Sequence, residues 1–145
     1  MNLFIDTNIW VRYFVKDDVK KFEVCKALIN EIEHGRVRPY VSSIILLEVY
    51  WVLTSVYKGT KISGLGALEK IIALRGVEII DTTKFINACA LHKQTGVKLA
   101  DCLIATQIPK GVGLCTYDME FKKLPNLTIV QPSDVIDTAK ESKGI

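Results

Sequence analysis

Short apolar segments alternate with longer amphipathic segments along most of this chain. Five of the short ones have the length and composition of buried strands, at residues 2–5, 36–41, 77–80, 112–115 and 127–130. The longer ones place apolar residues at helical spacing and predict helices at 7–15, 19–33, 44–57, 65–74, 82–95 and 99–107, with a short helix at 119–123. This alternation predicts an α/β domain of three layers, with a mainly parallel central sheet of four to five short strands flanked by helices.

Local residue types set the predicted boundaries of several helices. The segment 44–57 is apolar nearly all round, which predicts a buried helix, and Gly59 and Gly64 predict the loop that follows it. Asp81 or Thr82 is expected to cap the helix that ends near Thr95. We expect the domain to occupy residues 1–132, and residues 133–145 to form a tail with a short helix followed by a loosely ordered end.

Length and composition limit the architecture to one soluble domain. The 145 residues suffice for one core, and 49% hydrophobic with 24% charged residues is ordinary for a globular protein. The N-terminus lacks the basic lead and apolar core of a signal peptide. The longest apolar run, 44–53, contains Glu48 and reaches only half of the ~20 residues that a membrane span needs. We therefore expect a cytoplasmic protein without a membrane partner.

The cysteines and the net charge exclude some kinds of site. Cys25, Cys89, Cys102 and Cys115 are widely spaced and have no histidine at ligand spacing, so we predict buried free thiols rather than a zinc site or a disulfide framework. A net charge of +3 permits a nucleic-acid partner without requiring one.

Two aspartates follow predicted strands directly. Asp6 comes after Leu3-Phe4-Ile5, and Asp118 comes three residues after Cys115, so both are expected at the carboxyl edge of a parallel sheet. Taken alone, each is better explained as an N-cap, which contributes about 1 kcal/mol.

Two further acids lie inside apolar helical segments. Glu48 in IILLEVYWVL has apolar neighbours one turn away in both directions, with no cation within reach on the same helix. Asp101 in KLADCLIA has Lys98 as its only nearby counter-charge, and a modest helical ion pair with Lys98 is the structural alternative. An unpaired buried carboxylate costs several kcal/mol, so these acids need a partner or a proton.

A divalent cation would meet that need if the four acids converge. Mutual repulsion would otherwise raise the pKa values of Asp6, Glu48, Asp101 and Asp118. A ligand set of oxygens alone favours Mg2+ or Mn2+ over zinc.

The four acids, with Asp6-Thr7-Asn8 at the first strand end, Ser42 before Glu48, and Thr116-x-Asp118 near the end, together resemble the PIN domain, particularly its VapC-type toxins. The resemblance extends from Leu3 to Pro132. It implies a metal-dependent endoribonuclease whose four acids bind Mg2+ or Mn2+. It also implies that Asn8 and Thr116 support the carboxylates by hydrogen bonds. Glu120 is a candidate for an outer contact to the metal, although exposure to solvent is favoured.

The resemblance further implies partners, and the chemistry of two-metal phosphodiester hydrolysis suggests a division of roles within the site. The partners are an RNA substrate, a cognate VapB-like antitoxin and a second copy of the chain, in a homodimer built on helices of the first half. Asp6 is assigned as a ligand shared by two ions, Asp101 and Asp118 as ligands of one ion, and Glu48 as lying nearer the second ion or the attacking water.

Three alternatives to a toxin stay open at the level of sequence. The first is an RNA-processing nuclease of the same family. A magnesium-dependent phosphoryl-transfer domain also places an Asp after its first strand, but Asn8 stands where the haloacid-dehalogenase pattern has a second Asp. A domain that only binds a partner is the third, and the complete set of four acids argues against it.

Several basic and aromatic side chains are candidates for contacts with RNA. The basic ones are Lys16, Lys20, Lys21, Arg36, Arg38, Lys122 and Lys123, and the aromatic ones are Tyr13, Tyr50, Trp51, Tyr57 and Tyr117. For each cation a solvated surface is the simpler explanation, and for Tyr50 and Trp51 packing in the core or between subunits is expected. His34 and His92 are expected at the surface.

Overall fold

A computed structural model describes residues 1–144, so Ile145 lies outside the described part. It contains five strands: β1 (Asn2–Ile5), β2 (Arg38–Ser42), β3 (Glu78–Ile80), β4 (Gly113–Cys115) and β5 (Ile129–Val130). The α-helices of the described residues are α1 (Thr7–Phe14), α2 (Val19–Glu33), α3 (Ser43–Trp51), α4 (Lys61–Ile72), α5 (Phe85–Thr95), α6 (Leu99–Gln107) and α7 (Pro132–Lys143). The predicted α/β fold is confirmed, with every strand pair parallel and the helices flanking the sheet.

The sheet has the strand order β3-β2-β1-β4-β5, which puts β1 at its centre. Leu3, Phe4 and Ile5 are at most 2% exposed, as expected of a strand covered on both faces. Chain connections run to β2 on one side of β1, while β4 flanks its other side, so the order reverses between β1 and β4. A crevice beyond the carboxyl ends of these two strands is where α/β sheets place ligands.

Helix α3 departs from the prediction of all-round burial. It ends at Trp51 and passes into a π-helical segment, Val52–Val56. Ile45 and Val49 are fully buried, but Leu47 is 67% and Trp51 61% exposed. The prediction was wrong because an apolar composition does not say how many sides of a helix have neighbours. This helix has packing partners on only part of its circumference.

Helix α4 begins four residues earlier than predicted. Thr60 is its N-cap, and the Thr60 side chain accepts a hydrogen bond of 3.0 Å from the Ser63 amide. Gly64 therefore lies within the helix rather than in the preceding loop. It is buried where α4 meets α3 and the π-helical segment, since a Cβ at this position would lie 3.0 Å from the Tyr50 ring and 2.9 Å from Thr54 Cγ2.

Helix α5 begins later than predicted. Its N-cap is Lys84, not Asp81 or Thr82. Asp81 is used elsewhere, because its carboxylate accepts a hydrogen bond from the Ser43 hydroxyl. This bond connects the end of β3 to the start of α3. Residues 81–84, which lie between β3 and α5, form neither helix nor strand.

The last helix packs against α2. The helix expected around Val135 runs from Pro132 to Lys143, and Val135 is 3% exposed. Lys143 Nζ lies 3.6 Å from the Glu31 carboxylate, which also binds the Arg36 guanidinium. A buried Glu31 thus joins α2, the following turn and α7.

The remaining predictions for single residues concern thiols, histidines and membrane spans. The four cysteines are free; Cys89 is partly exposed, and the other three are buried. His34 and His92 are exposed, with each Nδ1 2.7 Å from a carbonyl oxygen. Within residues 1–144, no helix has the length and apolarity that a membrane crossing requires.

Candidate active site

A pocket at the carboxyl end of the sheet contains the four acids selected from the sequence. Its lining consists of Asp6, Thr7, Asn8, Val11, Arg12, Glu48, Val52, Tyr57, Asp101 and Asp118. The acids come from four places in the chain: the end of β1, the middle of α3, the first turn of α6 and the turn after β4. Their convergence is therefore a property of the tertiary fold.

Asp6 is held rigidly at the end of the central strand. Its amide donates to the Cys115 carbonyl at 3.0 Å, which ties it to β4. Its Oδ1 accepts the Thr7 amide at 2.8 Å as the N-cap of α1. Only 5% of Asp6 is exposed, and Asp6 lines the pocket, so solvent reaches its carboxylate from the pocket. The helix-cap explanation and the site explanation apply to the same side chain.

Asn8 and Thr116 form the floor beneath Asp6. Thr116 Oγ1 donates to Asp6 Oδ2 at 2.7 Å, and Asn8 Nδ2 donates to the same oxygen at 3.2 Å. The other end of the Asn8 side chain accepts the Tyr117 amide at 3.2 Å. The Thr116 hydroxyl also accepts the Asp118 amide at 2.9 Å. The turn after β4 is thus fastened to the end of β1 through these side chains.

Glu48 has a partner that the sequence reasoning missed. Thr7 Oγ1 donates to Glu48 Oε2 at 2.5 Å, which connects the first residue of α1 to the middle of α3. Because the hydroxyl turns toward Glu48, the carboxylate is directed to the pocket instead of the apolar side of its helix. The position of Thr7, next to an acid at a strand end, is the only signal in the sequence that points to this role.

Asp101 has no ion-pair partner among residues 1–144. Lys98, the alternative partner, is exposed and forms no ion pair with it. The alternative explanation of Asp101 as half of a helical ion pair therefore fails. Asp118 differs again, because its Oδ1 accepts the Glu120 amide at 2.9 Å and caps the 3-10 helix Met119–Lys123.

The pocket makes ionisation of Asp6, Glu48 and Asp101 unfavourable. Burial is the largest cause, and it raises the pKa of Asp6 and of Glu48, each opposed in part by hydrogen bonds from threonine. Burial and then the charges of Asp118 and Asp6 raise the pKa of Asp101 to about 6. Such shifts are typical of functional sites.

The donor set fits a hard divalent cation in chemistry and charge. The pocket offers carboxylate oxygens without thiolate or imidazole, and a cation would relieve the repulsion that raises the pKa values. Among the described residues, no three acidic, cysteine or histidine side chains lie close enough to share one ion. Both oxygens of Asp6 and one each of Glu48 and Asp118 are engaged by protein donors. Binding would thus require side-chain rotations.

The other candidates lie outside the pocket or at its edge. Glu120 is exposed, does not line the pocket, and pairs with Lys123 at 2.9 Å. Arg36 and Arg38 pair with glutamates, and Arg38 begins β2, so it lies at the opposite edge of the sheet. Lys21 Nζ lies 4.7 Å from the ring centroid of Tyr117, beside the turn that carries Asp118.

Two further pocket residues were not selected as pocket residues from the sequence. Arg12 follows Asn8 by one turn of α1, and Tyr57 follows the π-helical segment. The period of α1 placed Arg12 on the same side as Asn8, so its position was foreseeable. Tyr57 belongs to an irregular connection, for which no periodic pattern exists.

Comparison with known proteins identifies the architecture. The family model described as the PIN domain matches residues 3–127. A search among curated proteins returns no match.

Three solved structures have the same fold. A chain in the structure of VapBC2 from Rickettsia felis bound to a promoter DNA fragment is 25% identical, with a TM-score of 0.64, and the alignment covers 90% of this chain and 98% of that one. A chain of DNA-bound VapBC from Salmonella typhimurium is 21% identical, with a TM-score of 0.68, and the alignment covers 91% of this chain and 98% of that one. A chain of a toxin–antitoxin complex from Klebsiella pneumoniae is 22% identical, with a TM-score of 0.58, and the alignment covers 90% of this chain and 97% of that one. With a family match over most of its length and its acids gathered beyond the ends of β1 and β4, the chain belongs to the PIN domain family.

Proposed function

We propose that this protein is a Mg2+- or Mn2+-dependent endoribonuclease and the toxin of a VapBC-type pair. The observation that carries the proposal is the pocket in which Asp6, Glu48, Asp101 and Asp118 meet, none of which forms an ion pair within residues 1–144. Membership of the PIN family implies nuclease activity. The similarity to a chain of VapBC2 from Rickettsia felis, at 25% identity, supports the toxin assignment.

The proposed metal would lower the pKa of a bound water and neutralise charge on the phosphate oxygens. The residues of the chain supply the geometry. Asp6, hydrogen-bonded by Thr116 and Asn8, would hold the metal together with Asp101 and Asp118. Glu48, hydrogen-bonded by Thr7, would hold a second ion or accept the proton that the attacking water loses.

The hydrogen bonds of Asp6 favour this proposal over phosphoryl transfer. A phospho-accepting Asp needs a free oxygen as nucleophile. Here Oδ1 accepts the Thr7 amide, and Oδ2 accepts both the Thr116 hydroxyl and the Asn8 amide group. Neither oxygen of Asp6 is without a hydrogen-bond donor in this arrangement, which disfavours attack on phosphorus.

Replacement of Asp6 by Asn tests the catalytic part. We expect Asp6→Asn to lose Mn2+-dependent cleavage of single-stranded RNA while its thermal unfolding stays cooperative. Glu120→Gln is the matched control, because Glu120 is exposed and pairs with Lys123 outside the pocket, and it should keep full activity. Undiminished cleavage by Asp6→Asn would refute the proposed site.

The partner proteins are proposed from the same comparison and from exposed apolar side chains. We place the homodimer contact on α3 and α4, where Leu47, Trp51, Ile62 and Leu65 are 67%, 61%, 83% and 52% exposed. Such exposure on two packed helices favours an interface. A cognate VapB-like antitoxin would cover the acidic pocket.

Light scattering tests the dimer surface. Ile62→Ser should convert a dimer into a monomer, whereas Ile86→Ser on α5, which removes an isoleucine that is 85% exposed, should leave the mass unchanged. A dimer that survives Ile62→Ser and dissociates with Ile86→Ser would place the interface on α5.

Growth arrest separates a toxin from an RNA-processing enzyme. Induced expression of the wild type should stop bacterial growth, and Asp6→Asn should not. Normal growth with active enzyme would favour the RNA-processing alternative.

A further inference from the structure

Arg12 is the one basic side chain in the lining of the acidic pocket, as far as residues 1–144 are concerned. It lies one helical turn after Asn8, and residues four apart on a helix have Cβ atoms about 5–6 Å from each other. Asn8 in turn contacts Asp6. Arg12 therefore stands beside the four acids, on the side of the pocket formed by α1.

The counter-ion of Arg12 lies outside the pocket. Arg12 Nη1 binds Asp17 Oδ1 at 2.8 Å, and Asp17 belongs to the turn between α1 and α2. None of the four pocket acids forms an ion pair with Arg12. A guanidinium has five N–H donors, and the bond to Asp17 uses one of them. The remaining donors leave the pocket side free for an anion.

Tyr57 binds the counter-ion of Arg12 as well. Its hydroxyl donates to Asp17 Oδ2 at 2.8 Å, so one carboxylate holds Arg12 with one oxygen and Tyr57 with the other. The hydrogen bond to Asp17 is the largest cause of a raised pKa of Tyr57, which keeps the proton on the hydroxyl. Arg12, Asp17 and Tyr57 thus bridge α1, the α1–α2 turn and the segment before α4.

We propose that Arg12 binds a phosphate of the RNA strand next to the bond that is cut, and that Asp17 and Tyr57 position its guanidinium. This assignment rests on the proposed function. The four carboxylates of the pocket repel the phosphates of an entering RNA strand, and a bound metal offsets this repulsion only for the phosphates close to it. A planar guanidinium at the rim offers paired donors that match phosphate oxygens, and it cannot lose its charge at working pH.

Salt-dependent binding tests the assignment without relying on catalysis. Affinity for a short fluorescein-labelled single-stranded RNA is measured by anisotropy at several salt concentrations, with Asp6→Asn in every protein so that the RNA stays intact. Each phosphate contact to a single strand contributes about 0.7 to the slope of log affinity against log salt. Adding Arg12→Gln should lower the slope by about 0.7 and weaken binding about tenfold, as expected for one charge-assisted hydrogen bond.

Two further variants separate charge from position. Arg75 lies outside the pocket and donates to the Glu33 carbonyl. Arg75→Gln removes one positive charge there and should leave the salt slope and the affinity unchanged. Tyr57→Phe keeps the Arg12 charge but removes the bond to Asp17, so it should weaken binding several-fold and leave the slope unchanged. With Asp6 restored, Arg12→Gln should raise KM more than it lowers kcat.

The outcomes distinguish this assignment from the proposed function. If the protein with Asp6 intact cleaves RNA and Arg12→Gln keeps the slope and affinity, the assignment of Arg12 is wrong and the nuclease proposal stands. Equal losses in Arg12→Gln and Arg75→Gln would also overturn it, because they would reflect net charge alone. If the intact protein does not cleave RNA with Mn2+, both proposals fail.

Discussion

Replacing Asp101 by Asn is expected to stabilise the metal-free protein at neutral pH. Asp101 has a pKa of about 6 in the folded protein against an ordinary value of 3.8. Each pH unit of difference corresponds to about 1.36 kcal/mol, so ionisation of a fully enclosed Asp101 would cost about 3 kcal/mol. Because Asp101 is half-buried and solvent screens its charge, we expect about 1 kcal/mol. Asparagine has nearly the same shape and removes that cost.

The direction of the pH dependence follows from linkage. A carboxyl group with a raised pKa in the folded state binds its proton more tightly there than in the unfolded chain. Its favourable contribution is complete below about pH 4 and is lost as the pH rises through about 6. The difference between Asp101→Asn and wild type should therefore be absent near pH 4 and full at about pH 7.5.

Urea unfolding in EDTA at these two pH values measures the effect. Asp137→Asn is the control, since Asp137 is exposed on α7, away from the pocket. Adding Mn2+ should reverse the order, because the wild type gains stability from binding by about 2.7 kcal/mol at a hundred times Kd and the variant gains less. An Asp101→Asn protein that is no more stable than Asp137→Asn in EDTA would refute the electrostatic reasoning.

Two smaller perturbations test packing and the orientation of Glu48. Gly64→Ala should lower the melting temperature, because overpacking against Thr54 costs about 1–3 kcal/mol while the higher helix propensity of alanine returns about 1 kcal/mol. Gly66→Ala should raise the melting temperature, because its Cβ meets no atom within 4 Å. Equal shifts in both variants would contradict the close approach of Gly64 to Tyr50 and Thr54. Thr7→Val removes the hydrogen bond that lowers the pKa of Glu48, so the acidic limb of the pH–rate profile should move to higher pH. An unmoved limb would separate Glu48 from the proton transfer.

The architecture followed from the sequence because alternation and strand-end acids are local signals. Buried strands and intervening helices predicted a parallel sheet, and strand ends in a parallel sheet share an edge. Asp6 and Asp118 were thus placed at one edge by position alone. Glu48 and Asp101 stood out because acids in apolar helices lack local partners.

The details that depend on tertiary neighbours did not follow from the sequence. The apolar segment of α3 gave no sign that Trp51 is exposed, because hydrophobicity measures the cost of exposure and not its occurrence. Thr7 and Glu48 are 41 residues apart, and Tyr57 and Asp17 are 40 apart, so no periodicity connects them. Such contacts arise only once the helices are packed.

Whether this protein is a metal-dependent ribonuclease is decided by the rate at which the wild type cleaves RNA as a function of Mn2+ concentration. We expect saturable activation by Mn2+, complete loss of cleavage in EDTA, and recovery when Mn2+ is restored in excess. Cleavage that continues unchanged in EDTA, or no cleavage at any Mn2+ concentration by a folded protein free of its antitoxin, would contradict this expectation.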